Sequence, residues 1–164
     1  FFAREILPLV RQTVPGVELL VVGDNAPSDF ADYARAGVRT LGYVPDIDPL
    51  LARSRVFVAP LRFGAGMKGK IGEALAHGIP VVTTTIGAEG MSLRDGREAL
   101  IADSPEDFAA AVVRAYQGAE LWQRLSDEGY AHVARNFSPE VVSRIINDSV
   151  RGLFEQAESD ATLK

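Results

Sequence analysis

Val56-Phe57-Val58-Ala59-Pro60-Leu61-Arg62-Phe63-Gly64-Ala65-Gly66-Met67-Lys68-Gly69-Lys70-Ile71-Gly72-Glu73-Ala74-Leu75-Ala76-His77-Gly78-Ile79-Pro80-Val81-Val82-Thr83-Thr84 is the stretch that decides the fold. It opens on an apolar, β-branched run (Val56 to Pro60), crosses a glycine-rich connector, becomes helical in pattern from Met67 to His77, and closes on a second apolar run, Pro80 to Thr84. Ile71, Ala74 and Leu75 fall on the helix face that points to a core. Lys70, Glu73 and His77 share another face at i, i+3, i+7. A strand, a helix and a second strand with no hairpin signal between them make a parallel crossover unit.

The same alternation continues outward. On the N-terminal side, Phe2, Ile6, Leu9 and Val10 have the spacing of a helix face that Pro15-Gly16 ends, with Pro8 inside the pattern. Val17 to Gly23 reads as a strand buried on both faces, Ser28 as the cap of a short helix through Ala36, and Val38 to Leu41 as a further strand. Asp48 is the predicted N-cap of a short helix opened by Pro49. On the C-terminal side come a short edge strand, Leu100 to Ala102, and a helix capped at Ser104 with Phe108, Ala111, Val112 and Ala115 inward. A helix follows from about Glu120 to Arg135, then one from Ser138-Pro139 with the apolar stripe Val142, Ile145, Ile146, Val150 and Leu153.

The predicted class is α/β: a Rossmann-like, three-layer parallel sheet with helices on both faces, in one domain over residues 1–154. Residues 155–164 are a polar, frayed tail. Ligands of such sheets bind beyond the carboxyl ends of the strands, which nominates Gly23 to Asn25, Gly42 to Pro45, Arg62 to Lys70 and Thr84 to Gly90.

Composition narrows the function classes. With 164 residues, 47% of them hydrophobic, the chain supports one sizeable core and excludes disorder for most of its length. Seventeen Lys+Arg against 22 Asp+Glu give a net charge of −5 with no basic cluster, which argues against nucleic acid as a partner. There is no cysteine, so disulfides, thiol nucleophiles and Cys-type zinc sites are excluded. No apolar run approaches the ~20 residues of a membrane helix, and the expected compartment is the cytoplasm. Phe1 is not Met and no leader pattern follows it, so the chain is expected to begin inside a longer protein.

Three readings of the connector stay open on the residues alone. Gly64, Gly66 and Gly69 fit G-x-G-x-x-G, the fingerprint that lets a helix N-terminus approach a pyrophosphate. That fingerprint expects an acidic residue about 20 positions on, where Thr83-Thr84-Thr85 stands. Gly64 to Lys70 also fits all but the last letter of a P-loop, but Ile71 replaces the hydroxyl residue that would hold Mg²⁺. In the third reading Glu73, one turn into a helix that begins at an anion site, accepts hydrogen bonds from two ribose hydroxyls while Lys70 neutralises phosphate. The plainer alternative is an exposed Lys70–Glu73 ion pair worth ~0.2–0.5 kcal/mol, with His77 closing the helix before Gly78.

The run Ala59-Pro60-Leu61-Arg62-Phe63-Gly64-Ala65-Gly66, followed by Lys70-Ile71-Gly72-Glu73-Ala74-Leu75-Ala76-His77-Gly78-Ile79-Pro80-Val81-Val82, resembles the nucleotide-sugar-binding half of family 4-type (group 1) glycosyltransferases of the two-domain GT-B fold. Leu19 to Gly23, Gly42-Tyr43-Val44, Asp48 to Ala52, Gly87-Ala88-Glu89-Gly90 and the helices after Ser104 recur in the family order. The resemblance implies a donor site for a nucleoside-diphosphate sugar. In the family two glutamates separated by seven residues span the loop and helix, the second binding the ribose and the first the donor sugar. Glu73 matches the second; the first falls at Ala65. Members with a Gly-Ala-Gly loop share that departure, so sugar contacts would come from backbone groups around Gly64, Ala65, Gly66, Met67 and Lys68. Lys70 and Arg62 are the implied diphosphate contacts, and Gly42, Tyr43 and Val44 the edge for the base.

The family fold also has an N-terminal acceptor domain, and its second domain begins with a strand and a loop of basic phosphate ligands; neither precedes Phe1. The first strand is therefore expected to be missing from the centre of the sheet. The 164 residues alone are expected to be inactive, with strand edges that self-association could cover.

No catalytic residue is nominated, and neither a metal nor a cofactor is expected. Asp46-Ile47-Asp48 spells a D-x-D metal motif, but its position before Pro49 reads as a helix start. Trp122, Tyr130 and Phe137 read as packing residues. The competing classes are an NAD(P)-dependent oxidoreductase domain and a non-catalytic nucleotide-binding module.

Overall fold

The computed structural model describes residues 1–24, 34 and 36–162, with side chains described through residue 151. The helix expected from Ser28 lies outside the described residues. Two compact units are present, Phe1–Tyr130 and Ala131–Lys164.

The first unit starts with a π-helical turn, Phe2–Ile6, that runs into α1, Leu7–Thr13. Pro8 explains the break in pattern. In an unbroken α-helix Pro8 would owe a hydrogen bond to Arg4 and its ring would meet that carbonyl; a wide turn that restarts at Leu7 places the proline in a first turn, where no N–H is required. Then follow β1 (Leu19–Val22), β2 (Val38–Gly42), α2 (Asp48–Leu51), β3 (Phe57–Ala59), α3 (Gly69–Ala76), β4 (Val81–Thr83), α4 (Thr85–Glu89), β5 (Leu100–Ile101) and α5 (Pro105–Gln117). α6 (Ala119–Phe137) leads out of this unit and α7 is Pro139–Thr162.

All strand pairs are parallel, as the missing hairpin signals require, and they lie in two sheets, β1-β2 and β3-β4-β5, as a strand missing from the centre would leave them. Val17 to Gly23, expected to be buried on both faces, is only half-buried, and Val22 is 40% exposed, because β1 has a partner on one side only. β4 is the centre of the larger sheet and is fully buried. Val82 faces the core of Ile6, Val10, Leu100, Phe108, Val112 and Leu125 under α1 and α5. Thr83 faces the other layer, where Gly87 of α4 lies so close that a Cβ would meet its hydroxyl, with Ile71 of α3 beside it. Each large apolar side chain so enclosed contributes ~1.5–3 kcal/mol.

The caps follow their sequence signals where the partner is local. Ser104 Oγ accepts from Asp107 N at 3.1 Å at the start of α5. α4 falls where the sequence analysis names no element; Thr84 starts it, its hydroxyl accepting from Gly87 N at 3.2 Å. Between α4 and β5, Glu98 is fully buried, accepting from Arg94 N at 2.9 Å and from the Arg94 guanidinium. Burial pushes this carboxyl upward, but the Arg94 bonds outweigh it and hold Glu98 below the ordinary glutamate value. The sign follows: this contribution to stability is present above the ordinary value and is lost as pH falls through the lowered one.

Trp122 is a packing residue as expected, its indole donating to Arg55 O at 2.7 Å with the Arg55 guanidinium over the ring at 5.4 Å. Tyr130 is not; it is 57% exposed. In the second unit the expected stripe of α7 is also exposed at Val142, Ile145, Ile146 and Val150, since a unit of two helical segments has too little apolar surface to enclose it. α7 continues to Thr162, past the expected boundary at 154, because residues 155–162 contain neither proline nor glycine. Among the described residues no helix is long and apolar enough to cross a membrane.

Candidate functional site

The site is built at the carboxyl end of β3. Thr83 Oγ1 donates to Ala59 O at 2.9 Å and Thr84 Oγ1 to Leu61 O at 2.7 Å, so the end of β4 clamps the point where the glycine loop departs. Gly64 (φ 133°) and Gly66 (φ 70°) bend the loop through backbone conformations that side-chain-bearing residues avoid. Lys68 Nζ turns back to Gly66 O at 2.7 Å and braces the loop. Beneath it lies Gly90, where a Cβ would sit 2.1 Å from Gly66 O. No side chain caps α3; Ile71 N already donates to Lys68 O at 2.9 Å, which leaves the amides of Gly69 and Lys70 and the positive end of the helix dipole at the loop.

One turn into α3, Lys70 Nζ and Glu73 Oε2 form an ion pair at 3.1 Å; the lysine side chain is 78% exposed and the glutamate 35%. This is the plain pairing that the spacing allows. Both residues also line a cavity of about 1110 Å³, together with Pro60 and Phe1. An exposed pair of this type is worth ~0.2–0.5 kcal/mol, too little to keep either group from a charged ligand.

His77 closes α3, its Nδ1 2.8 Å from Glu73 O and its Nε2 3.1 Å from Asp48 Oδ1. Two acceptors favour the doubly protonated ring. The bond to the Glu73 carbonyl, then Asp48, outweigh desolvation and raise the His77 pKa above 6.5. The tie between α2 and α3 is therefore present below the ordinary histidine value and is lost as pH rises through the raised one. In an NMR titration the Asp48→Asn protein is expected to show a lower His77 pKa than the native chain; an unchanged midpoint would remove Asp48 from the tie.

Asp48 is thus not the N-cap that the sequence indicated. It is the first residue of α2, whose N-cap position is Ile47; Asp46 Oδ1 accepts from Asp48 N at 3.0 Å, and the Asp48 carboxylate goes to His77. The D-x-D pair is divided between two structural tasks. Among the described residues no group of three or more His, Asp or Glu is placed to hold a metal ion.

The other nominated residues separate into three sets. Gly64, Ala65, Gly66 and Met67 form the exposed loop, with Met67 62% exposed. Arg62 follows β3, with its guanidinium 5.3 Å from the centre of the Phe1 ring at the cavity wall. Gly42, Tyr43 and Val44 follow β2 in the other sheet and are not among the described residues lining the cavity. Asp103, which by sequence groups with the acids of the α5 start, instead accepts from Thr85 N at 2.9 Å and Thr85 Oγ1 at 2.7 Å; these bonds hold its carboxyl below the ordinary aspartate value and tie it to the start of α4. Partners 18 residues apart carry no local signal.

Residues 1–118 match the family described as Glycosyl transferases group 1. The chain belongs to this family. It is 31% identical over 138 residues to LpsE, the lipopolysaccharide core biosynthesis glycosyltransferase of Rhizobium meliloti (strain 1021), a match covering 79% of this chain and 40% of LpsE. The crystal structure of Anabaena Alr3699/HepE in complex with UDP superposes with a TM-score of 0.77 at 18% identity, over 90% of this chain and 44% of that one. The C-terminal domain of the group 1 family protein LpcC from Francisella tularensis superposes with a TM-score of 0.68 at 17% identity, over 81% of this chain and 76% of that one. The chain spans about two fifths of the length of the curated relatives it matches. Its fold is the Rossmann-like C-terminal half of the group 1, GT-B glycosyltransferases.

Proposed function

We propose that this domain binds the nucleoside-diphosphate sugar donor of a glycosyltransferase, which transfers the sugar to a saccharide or lipid-linked acceptor held by polypeptide outside these residues. The observation that carries the reading is the Lys70–Glu73 pair, one turn into an uncapped helix behind a glycine loop. A ribose displaces Lys70 from Glu73 and gives both of its vicinal hydroxyls to the carboxylate. The released ammonium, with Arg62 and the first-turn amides of α3, faces the diphosphate. Amides of Gly64 to Lys68 meet the sugar, since Ala65 offers no carboxylate to it. Tyr43, 69% exposed beyond β2, with Gly42 and Val44, offers an edge for the base.

Catalysis in this reading is positioning and charge stabilisation of the leaving diphosphate, with no general base on this chain and no metal or cofactor. HepE has been crystallised with UDP and with UDP-glucose, and LpsE is a lipopolysaccharide core biosynthesis glycosyltransferase, which supports a nucleotide-sugar donor and a role in polysaccharide assembly. The alternatives were a dinucleotide oxidoreductase domain and a non-catalytic nucleotide-binding module. Calorimetric titration of the full-length protein with UDP, GDP, ADP and NAD separates the first of these. One nucleoside diphosphate is expected to bind roughly tenfold or more tighter than NAD. Preference for NAD overturns the reading.

A further inference from the structure

One segment, Gly87 to Met91, packs against both halves of the site. Gly87 lies beside Ile71 of α3, Gly90 against Gly66 of the glycine loop, and the Met91 side chain against Gly72 of α3. The Gly72 contact is the informative one. Its backbone is ordinary α-helix, where glycine is weaker than alanine, so conformation does not call for it. Space does: an added Cβ would meet Met91 Cε at 3.3 Å, inside the ordinary van der Waals distance. Met91 is 1% exposed and its N donates to Ala88 O at 3.1 Å at the end of α4. Ser92, with φ 52°, is the one non-glycine among the described residues in the left-handed region, and Met91 and Leu93 on either side of it are both buried. A residue stays in that region only where its surroundings over-determine it. The start of α4 is fixed as well, by Thr84 Oγ1 on Leu61 O and by Thr85 on Asp103.

We infer that Met91 is a positioning residue for donor binding: pressed against Gly72, it sets the place of Glu73 relative to the glycine loop, which its neighbour Gly90 supports. The inference rests on the donor reading proposed above. In that reading one ligand meets the loop amides and the Glu73 carboxylate together, so the two must hold a fixed separation. Chain continuity does not fix it, because Lys68, between loop and helix, has a non-helical backbone (φ −100°, ψ 86°) that leaves the tilt of α3 free to follow its packing. Gly90 and Met91 are consecutive, and each touches one of the two parts, so a single turn carries both references. An unbranched thioether can reach the notch that Gly72 leaves, where a branched side chain of the same size is shorter. Enclosed as it is, Met91 acts through α3 and not on the donor itself.

A double-mutant cycle in the full-length protein tests this, the probe being whichever of UDP, GDP and ADP the native protein binds most tightly. Affinities are measured by calorimetry well below each protein's melting temperature, so that folded protein alone is titrated. Met91→Ala is expected to lose roughly tenfold in affinity, and Met91→Val, the variant to use where alanine does not fold, roughly threefold. In the Glu73→Ala background the same Met91 substitution is expected to cost no more than about twofold, because the carboxylate it misplaces is gone. A merely structural Met91 would lower the melting temperature and leave the folded protein's affinity native, and that result overturns the inference. So does a loss that multiplies in full with that of Glu73→Ala, or a chain that folds with neither substitution. Glu73→Ala protein with native affinity overturns the donor reading itself, and the inference with it.

Discussion

The Gly90→Ala protein is expected to lose about 1–3 kcal/mol of stability and most of its affinity for the donor nucleotide. The added Cβ would lie 2.1 Å from Gly66 O, 2.4 Å from Gly66 C and 2.8 Å from Met67 N. All three are backbone atoms of the glycine loop, so no side chain can swing aside. Either the turn after α4 or the loop itself must move. In the proposed site a loop displaced by an ångström would no longer aim its amides at the donor, and misplacement on that scale costs a well-positioned site roughly a hundredfold. Thermal melting together with nucleotide titration checks both halves. Gly16→Ala is the control: nothing lies within 4 Å of the added carbon and the backbone is ordinary there, so its stability is expected to stay within about 0.5 kcal/mol of native.

Glu73→Ala is expected to do the opposite, leaving folding nearly intact while weakening donor binding. Its carboxylate is part-exposed and its one side-chain partner, Lys70, is mostly in solvent, so the change in stability is expected to stay within about 0.5 kcal/mol. A charged acceptor shared by two ribose hydroxyls is worth about 1.5–3 kcal/mol, or roughly 10- to 150-fold in affinity. Lys70→Ala is expected to weaken nucleoside diphosphates more than nucleosides if, as proposed, the ammonium faces the phosphates. Melting curves that match the native protein alongside a shifted binding curve are the expected pattern for both.

Much of this was legible in the sequence because its causes are local. Ser104 followed by Pro105 and two acids starts α5 where the cap rules place it. The i, i+3 spacing of Lys70 and Glu73 on a helix opened by glycines put a cation and a carboxylate on one face, and the structure brings them together. What stayed hidden depends on partners far along the chain. Asp48 looked like a cap because Pro49 follows it, yet His77 holds its carboxylate from 29 residues away. Thr84 looked like the end of a strand, whereas its hydroxyl both starts α4 and clamps Leu61. Gly90 carries no pattern of its own, and its meaning appears only when the glycine loop lies on it.

A cycle between one carboxylate and one sugar tests the central claim most directly. The affinities of the preferred nucleoside diphosphate and its dideoxyribose analogue are measured by calorimetry for native and Glu73→Ala full-length protein. Native protein is expected to bind the analogue roughly tenfold or more weakly than the parent, and the Glu73→Ala protein to bind the two alike. The same loss on removing the hydroxyls in both proteins would contradict the account, because Glu73 would then not be the group that holds the ribose.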